Sequence, residues 1–232
     1  MPTKETGEAR HSPPDVAKAI LIELEAVMLQ GQTLYYESLR GALKPAGVDV
    51  TLGRFSRLCI GRSLPRAVSL LLRDAGKEDD AEVAIKAAQE RLRKALLSES
   101  IKLSSSAGAL IKNAKRRGSA IGLVSALAQA DVDTVVNRLG LAGQVLAHGE
   151  VPRDGVFPFK DIWLSTAAEL EVRPVDCCAV VANRVGLGSA MGAHVRCVVV
   201  PDALSGFQDF GGADLVLEAL DAGAIIELVM GD

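Results

Sequence analysis

The sequence predicts an α/β protein: a three-layer, Rossmann-like core built on a parallel sheet, with an α-helical cap inserted early in the chain. Three observations lead there. Short runs that are apolar throughout alternate with helical patterns in the second half of the chain, as expected when a parallel sheet is covered on both faces. Between residues 34 and 117 helical spacing dominates and no convincing strand appears. Finally, 232 residues, 49% hydrophobic and 24% charged, supply enough material for a large core with a smaller insert.

The elements follow in order. Residues 1–15 are polar and Pro-bearing, lack an apolar signal segment and are predicted to be a flexible tail. Residues 18–24, KAILIEL, form the first strand, followed by a short loop. A helix is predicted over 33–45, ending at a Pro-Ala-Gly break, and further helices run to residue 117 with breaks near Gly61, Gly76 and 98–106. The segment 80–97 is rich in Ala, Glu, Lys, Arg and Leu, all strong helix formers. From residue 105 a helix opens on serine and closes on Gly118, followed by a strand at 119–125 and a helix at 131–140 closed by Gly140. A helix at 161–170, a strand at 177–182, a short Gly-rich helix at 185–193 and strands at 195–200 and 213–217 complete the pattern. The domain division is thus a core from 16–33 and 105–232 with the cap at 34–104. In such sheets ligands sit beyond the carboxyl ends of the strands, where Glu23, Ser125 and Ala182-Asn183 fall.

Composition removes several classes of function. A net charge of −3 gives no electrostatic case for binding nucleic acid or an anionic membrane, and aromatics at 3% offer few base-stacking surfaces. No apolar run is long enough to span a bilayer. Cys59, Cys177, Cys178 and Cys197 show no paired C-x-x-C spacing, which points to reduced, buried thiols and not to a zinc site or disulfide scaffold. The expected location is the cytoplasm or a soluble, reducing organellar compartment.

The chain resembles the haloacid dehalogenase superfamily, in its β-phosphoglucomutase-like and phosphoglycolate phosphatase-like group with a helical cap. KAILIELEAVMLQGQTLYYESL resembles that group's opening strand and cap entry, and LCIGRSL its G-x-S cap element. IGLVSA resembles the second motif, PFKDIWLSTAAELEV the third and DCCAVVANRVGLGSAMGAHVRCVVV the fourth. The resemblance implies a nucleophile at Glu23 and a general acid/base at Glu25. It also implies a phosphoryl-oxygen ligand at Ser125, a lysine from motif three, and acidic Mg²⁺ ligands from motif four.

Five of those six positions depart from the family pattern. Glu replaces Asp at 23 and 25, Phe157 holds the lysine position, and Ala182 and Asn183 replace the acidic pair; Ser125 alone is kept. A glutamate carries its carboxylate about 1.5 Å further, one C–C bond, and a misplacement of about 1 Å can cost on the order of 10²-fold in rate. Lys160 is the nearest lysine to the vacated position, three residues away. Mg²⁺ demands near-ideal octahedral oxygen ligation, and motif four retains no carboxylate to help supply it.

The reading is therefore a catalytically inactive relative acting as a binding or partner-interaction protein, needing no cofactor. Glu23 and Glu25 are then vestigial, a pair whose charge would repel phosphate. Ser125, Lys160, Asn183 and Arg62 are the candidate ligand-binding residues, with no residue assigned to a metal. The expected partners are another protein, a second copy of the chain or a small phosphorylated ligand, with neither nucleic acid nor membrane. The alternative is a divergent Mg²⁺-dependent phosphatase or phosphomutase acting on small phosphate esters. A dinucleotide site at Gly186–Gly192 is disfavoured, because Met191 occupies the third-glycine position. Arg54, Arg57, Arg62 and Arg66 cluster in the cap, as either an anion-facing surface or a solvated face.

Overall fold

A computed structural model describes residues 18–29, 31–152 and 155–230, so the predicted tail at 1–15 lies outside the described residues. Six strands form one sheet in the order β3-β2-β1-β4-β5-β6, every neighbouring pair parallel. These are β1 (Ala19–Glu23), β2 (Ala120–Ser125), β3 (Leu146–Gly149), β4 (Cys177–Val181), β5 (Arg196–Val199) and β6 (Leu215–Val216). β1 lies between β2 and β4, pairing Glu23 with Val124 and Ile22 with Val180, and all five of its residues are buried. Burial on both faces is why the run AILIE shows no polar alternation.

Alternate residues of β1 enter separate cores. Ile20 and Ile22 pack with α5 (Ser105–Arg116), α6 (Gln129–Arg138) and α9 (Ala222–Met230). Ala19 and Leu21 pack with α7 (Lys160–Glu169) and α8 (Arg184–Gly192). Trp163 of α7 is fully buried there and donates its indole N–H to Ser189 Oγ of α8 at 2.8 Å. The four cysteines are free and buried.

Between β1 and α5 the chain forms four helices, α1 (Gly31–Leu43), α2 (Leu52–Leu58), α3 (Leu64–Asp74) and α4 (Ala81–Leu96), with a core of their own. Leu39, Leu43, Phe55, Val68 and Leu71 fill it, and Tyr35 and Tyr36 meet Phe55 edge-on at centroid distances of 5.6 and 5.4 Å. The loop after α2 clasps the sheet's carboxyl end. Ser63 N–H donates to Gly155 O at 2.8 Å, and Arg62 bridges Val156 in antiparallel fashion. Gly61 adopts φ +71°, and a Cβ there would stand 2.4 Å from Val185 Cγ2, so this junction needs glycine. On the far side, Arg93 of α4 holds Asp131 of α6 through two hydrogen bonds of 2.8 Å.

Three elements differ from the sequence expectation. The loop after β1 is a π-helical turn, Leu24–Met28, and β3 and α9 are additional elements. β3 is short, half-exposed and carries His and Gly (LAHG), so no apolar run marks it. α9 is held from a distance: Lys18 Nζ donates to the carbonyls of Val229 and Met230 at 2.8 and 2.7 Å at its carboxyl end, where a cation complements the helix dipole.

Trp163→Ala removes the largest fully buried side chain and should cost about 3–5 kcal/mol. Urea denaturation would show this as a lower midpoint, and an unchanged midpoint would contradict the packing described.

Candidate functional site

The carboxyl ends of β1 and β4 meet under the cap around a cavity of about 300 Å³. Glu23, Glu25, Arg62 and Asn183 line it, together with Gln32, Tyr35, Ser63 and the Arg93–Asp131 pair. Four of the six candidate residues thus converge. Two do not join them. Lys160, the first residue of α7, is exposed and lies outside the cavity wall, so it does not stand in for the missing lysine. Phe157 occupies the wall instead, its ring edge-on to Phe159 at 6.1 Å. Ser125 is fully buried and committed elsewhere: its hydroxyl donates to Glu25 Oε1 and accepts from Leu127 N–H at 3.1 Å.

Glu23 ends β1 and is 2% exposed, with no hydrogen-bond partner for Oε1. That oxygen lies against Gly186 at the start of α8, where a Cβ would stand only 2.3 Å from it. Burial, reinforced by the neighbouring Glu25, pushes the Glu23 carboxyl up to about 8. A carboxyl shifted that far carries less charge at neutral pH than an ordinary glutamate, which weakens the expected repulsion of phosphate by the pair. Glu25, placed by the π-helical turn, accepts from Ser125 Oγ and from Ala126 N–H at 3.2 Å. Its burial raises its pKa and these hydrogen bonds partly offset that.

Motif four has become structural. Asn183 Oδ1 accepts from Val185 and Gly186 N–H, each at 3.0 Å, capping α8. Ala182 contributes no side-chain oxygen. A Mg²⁺ ion, which the fold family implies, needs oxygen ligands carrying charge. Here the motif-four amide oxygen is engaged in capping α8, Ala182 brings no side-chain oxygen, and no group of three or more His, Cys, Asp or Glu suited to a metal occurs among the described residues. These residues do not fit the ion.

Of the arginine cluster, Arg54 and Arg57 both pair with Asp74, Arg54 Nη2 at 2.7 Å and Arg57 Nη2 at 3.3 Å. Arg62 forms no ion pair among the described residues and borders the cavity. Sequence reasoning did not single out Gln32, Arg93 or Asp131. Gln32 lies inside the stretch that resembles the cap entry but at a position to which the resemblance gives no role, and the Arg93–Asp131 pair joins helices distant in sequence.

No family model matches the chain. It is 26% identical over 205 residues to YhcW of Bacillus subtilis (strain 168), a candidate phosphatase by its name, across 88% of this chain and 92% of that one. The fold matches β-phosphoglucomutase from Clostridium difficile with a TM-score of 0.76 at 18% identity, covering 93% of this chain and 98% of that one. The chain is similar in sequence and fold to haloacid dehalogenase-like proteins. It also matches the phosphate complex of CbbY from Rhodobacter sphaeroides, at a TM-score of 0.71 and 22% identity over 88% of this chain and 95% of that one. The chain is similar to the β-phosphoglucomutase- and phosphoglycolate phosphatase-like group, a parallel-sheet core with helices on both faces.

The buried acid sets a pH dependence. Glu23 binds its proton more tightly when folded than in the unfolded chain, where its value is near 4.5. The folded state therefore holds more protons between about 4.5 and 8, so stability should fall as pH rises through that window and level off above it. Glu25 shifts in the same direction. Urea midpoints across this range should decline in the wild type, and Glu23→Gln should flatten the decline and be the more stable protein at pH 8. Equal slopes in the two proteins would contradict the assignment.

Proposed function

We propose that this haloacid dehalogenase-like chain has lost phosphoryl transfer and works as a binding protein through the cleft between cap and core. One observation carries the reading: the side chain at the nucleophile position is buried, one of its carboxyl oxygens has no hydrogen-bond partner, and burial raises its pKa to about 8. A carboxylic acid is a poor nucleophile, and deprotonating it here costs the burial energy that raised its pKa. The machinery that would support it is also gone: Phe157 brings no charge, Ser125 is tied to Glu25, and Asn183 caps α8.

The comparisons favour a second reading, a divergent Mg²⁺-dependent phosphatase or phosphomutase on small phosphate esters. YhcW is a candidate phosphatase by name, and the fold neighbours include a β-phosphoglucomutase. In that reading Glu23 must ionise in the working complex.

A panel of small phosphate esters, assayed with and without Mg²⁺, separates the two. The binding-protein reading expects no Mg²⁺-dependent turnover and no Mg²⁺-induced rise in melting temperature. Turnover in the wild type that Glu23→Gln abolishes would establish the enzyme.

A further inference from the structure

The cavity's wall differs from a phosphate site in three ways. Its body is apolar, formed by Leu64, Leu92, Leu96, Leu127, Val151 and Phe157, and among the described residues no lysine lines it. Its charged side chains are mixed and do not gather cations: among the described residues Arg62 and Arg93 stand with Glu23, Glu25 and Asp131, and Arg93 and Asp131 are already bonded to each other. A phosphate dianion entering here would lose its hydration and meet, among the described residues, one arginine without an ion pair, whereas phosphate sites gather several cations or donors.

The third feature is unmet hydrogen bonding. Glu23 and Gln32 are 2% and 5% exposed, belong to separate elements and border the same cavity. Glu23 Oε1 and Gln32 Nε2 each lack a partner. A buried polar atom left unpaired costs about 1–3 kcal/mol, and two in one wall mark where a ligand's polar group would be stabilised. Few polar groups set in apolar walls is the ordinary composition of a small-molecule pocket, and about 300 Å³ is the lower end of the usual size.

We propose that the cavity binds a small neutral molecule, an apolar body carrying one carbonyl or hydroxyl oxygen, held by hydrogen bonds to the Glu23 carboxyl and the Gln32 amide. This deepens the binding-protein reading of the same cleft and rests on it. The Gln32 amide offers N–H donors and a carbonyl acceptor, and the Glu23 carboxyl oxygens accept, so a carbonyl oxygen is met by Gln32 and a hydroxyl by either residue.

Acetophenone, phenyl phosphate and inorganic phosphate are the probes, titrated into the full chain at pH 6.5 and followed by backbone amide NMR shifts. Acetophenone should bind in the millimolar range or tighter, shifting the amides around the cavity, and phenyl phosphate, with the same ring, should bind at least tenfold more weakly. Gln32→Leu, close in volume and free of the unpaired amide, should fold and melt no lower than the wild type. It should weaken acetophenone about tenfold, the loss of one hydrogen bond. Three results would each overturn the proposal: no cavity shifts with acetophenone, tighter binding of either phosphate probe, or undiminished acetophenone binding by a folded Gln32→Leu. None of these depends on turnover of phosphate esters, so an inactive chain that ignores acetophenone sinks this inference while sparing the binding-protein reading.

Discussion

The site depends on how β1 ends. Five buried residues place the carboxyl of Glu23 between β2 and β4, against Gly186 at the start of α8. A charge there must be balanced by a cation or by several donors, or else lost to a proton. Neither motif four nor the cap supplies that balance, because Asn183 caps a helix and the arginines pair elsewhere or stand at the cavity's edge. The proton is what remains. From it follows the fall in stability with rising pH.

The surrounding changes are consistent with that state. Glu25 holds Ser125, so the hydroxyl that the family resemblance assigns to phosphate braces the π-helical turn instead. Phe157 packs edge-on with Phe159 and adds apolar wall where a lysine would have brought charge. The cap is fastened at both margins, by Ser63 to Gly155 on one side and by Arg93 to Asp131 on the other.

Much of the fold was legible because its signals are local. The apolar runs of β1, β2, β4 and β5 read directly as buried strands, and Gly118 and Gly140, at φ +74° and +70°, mark helix ends that favour glycine. β3 escaped notice because LAHG is short and half-exposed, and the π-helical turn because its sequence, LEAVM, carries no marker of that geometry. The site was legible in part. Strand ends predicted that Glu23, Ser125 and Ala182-Asn183 would converge; Glu23 and Asn183 line the cavity, and Arg62 of the cap borders it with them. Lys160 failed because its exposure is set by the start of α7, and Ser125 because Glu25 engages it. The protonation of Glu23 depends on contact with α8, far along the chain, and Gln32 gains significance only through the cavity it borders.

Infrared difference spectroscopy of wild type against Glu23→Gln at pH 7 reads whether Glu23 carries a proton. The expectation is a carbonyl stretch of a protonated carboxylic acid in the wild type, missing from the variant and fading as pH is raised past about 8. A carboxylate band at pH 7 that disappears in Glu23→Gln, with no protonated-acid band, would contradict it and restore a charged group at the nucleophile position.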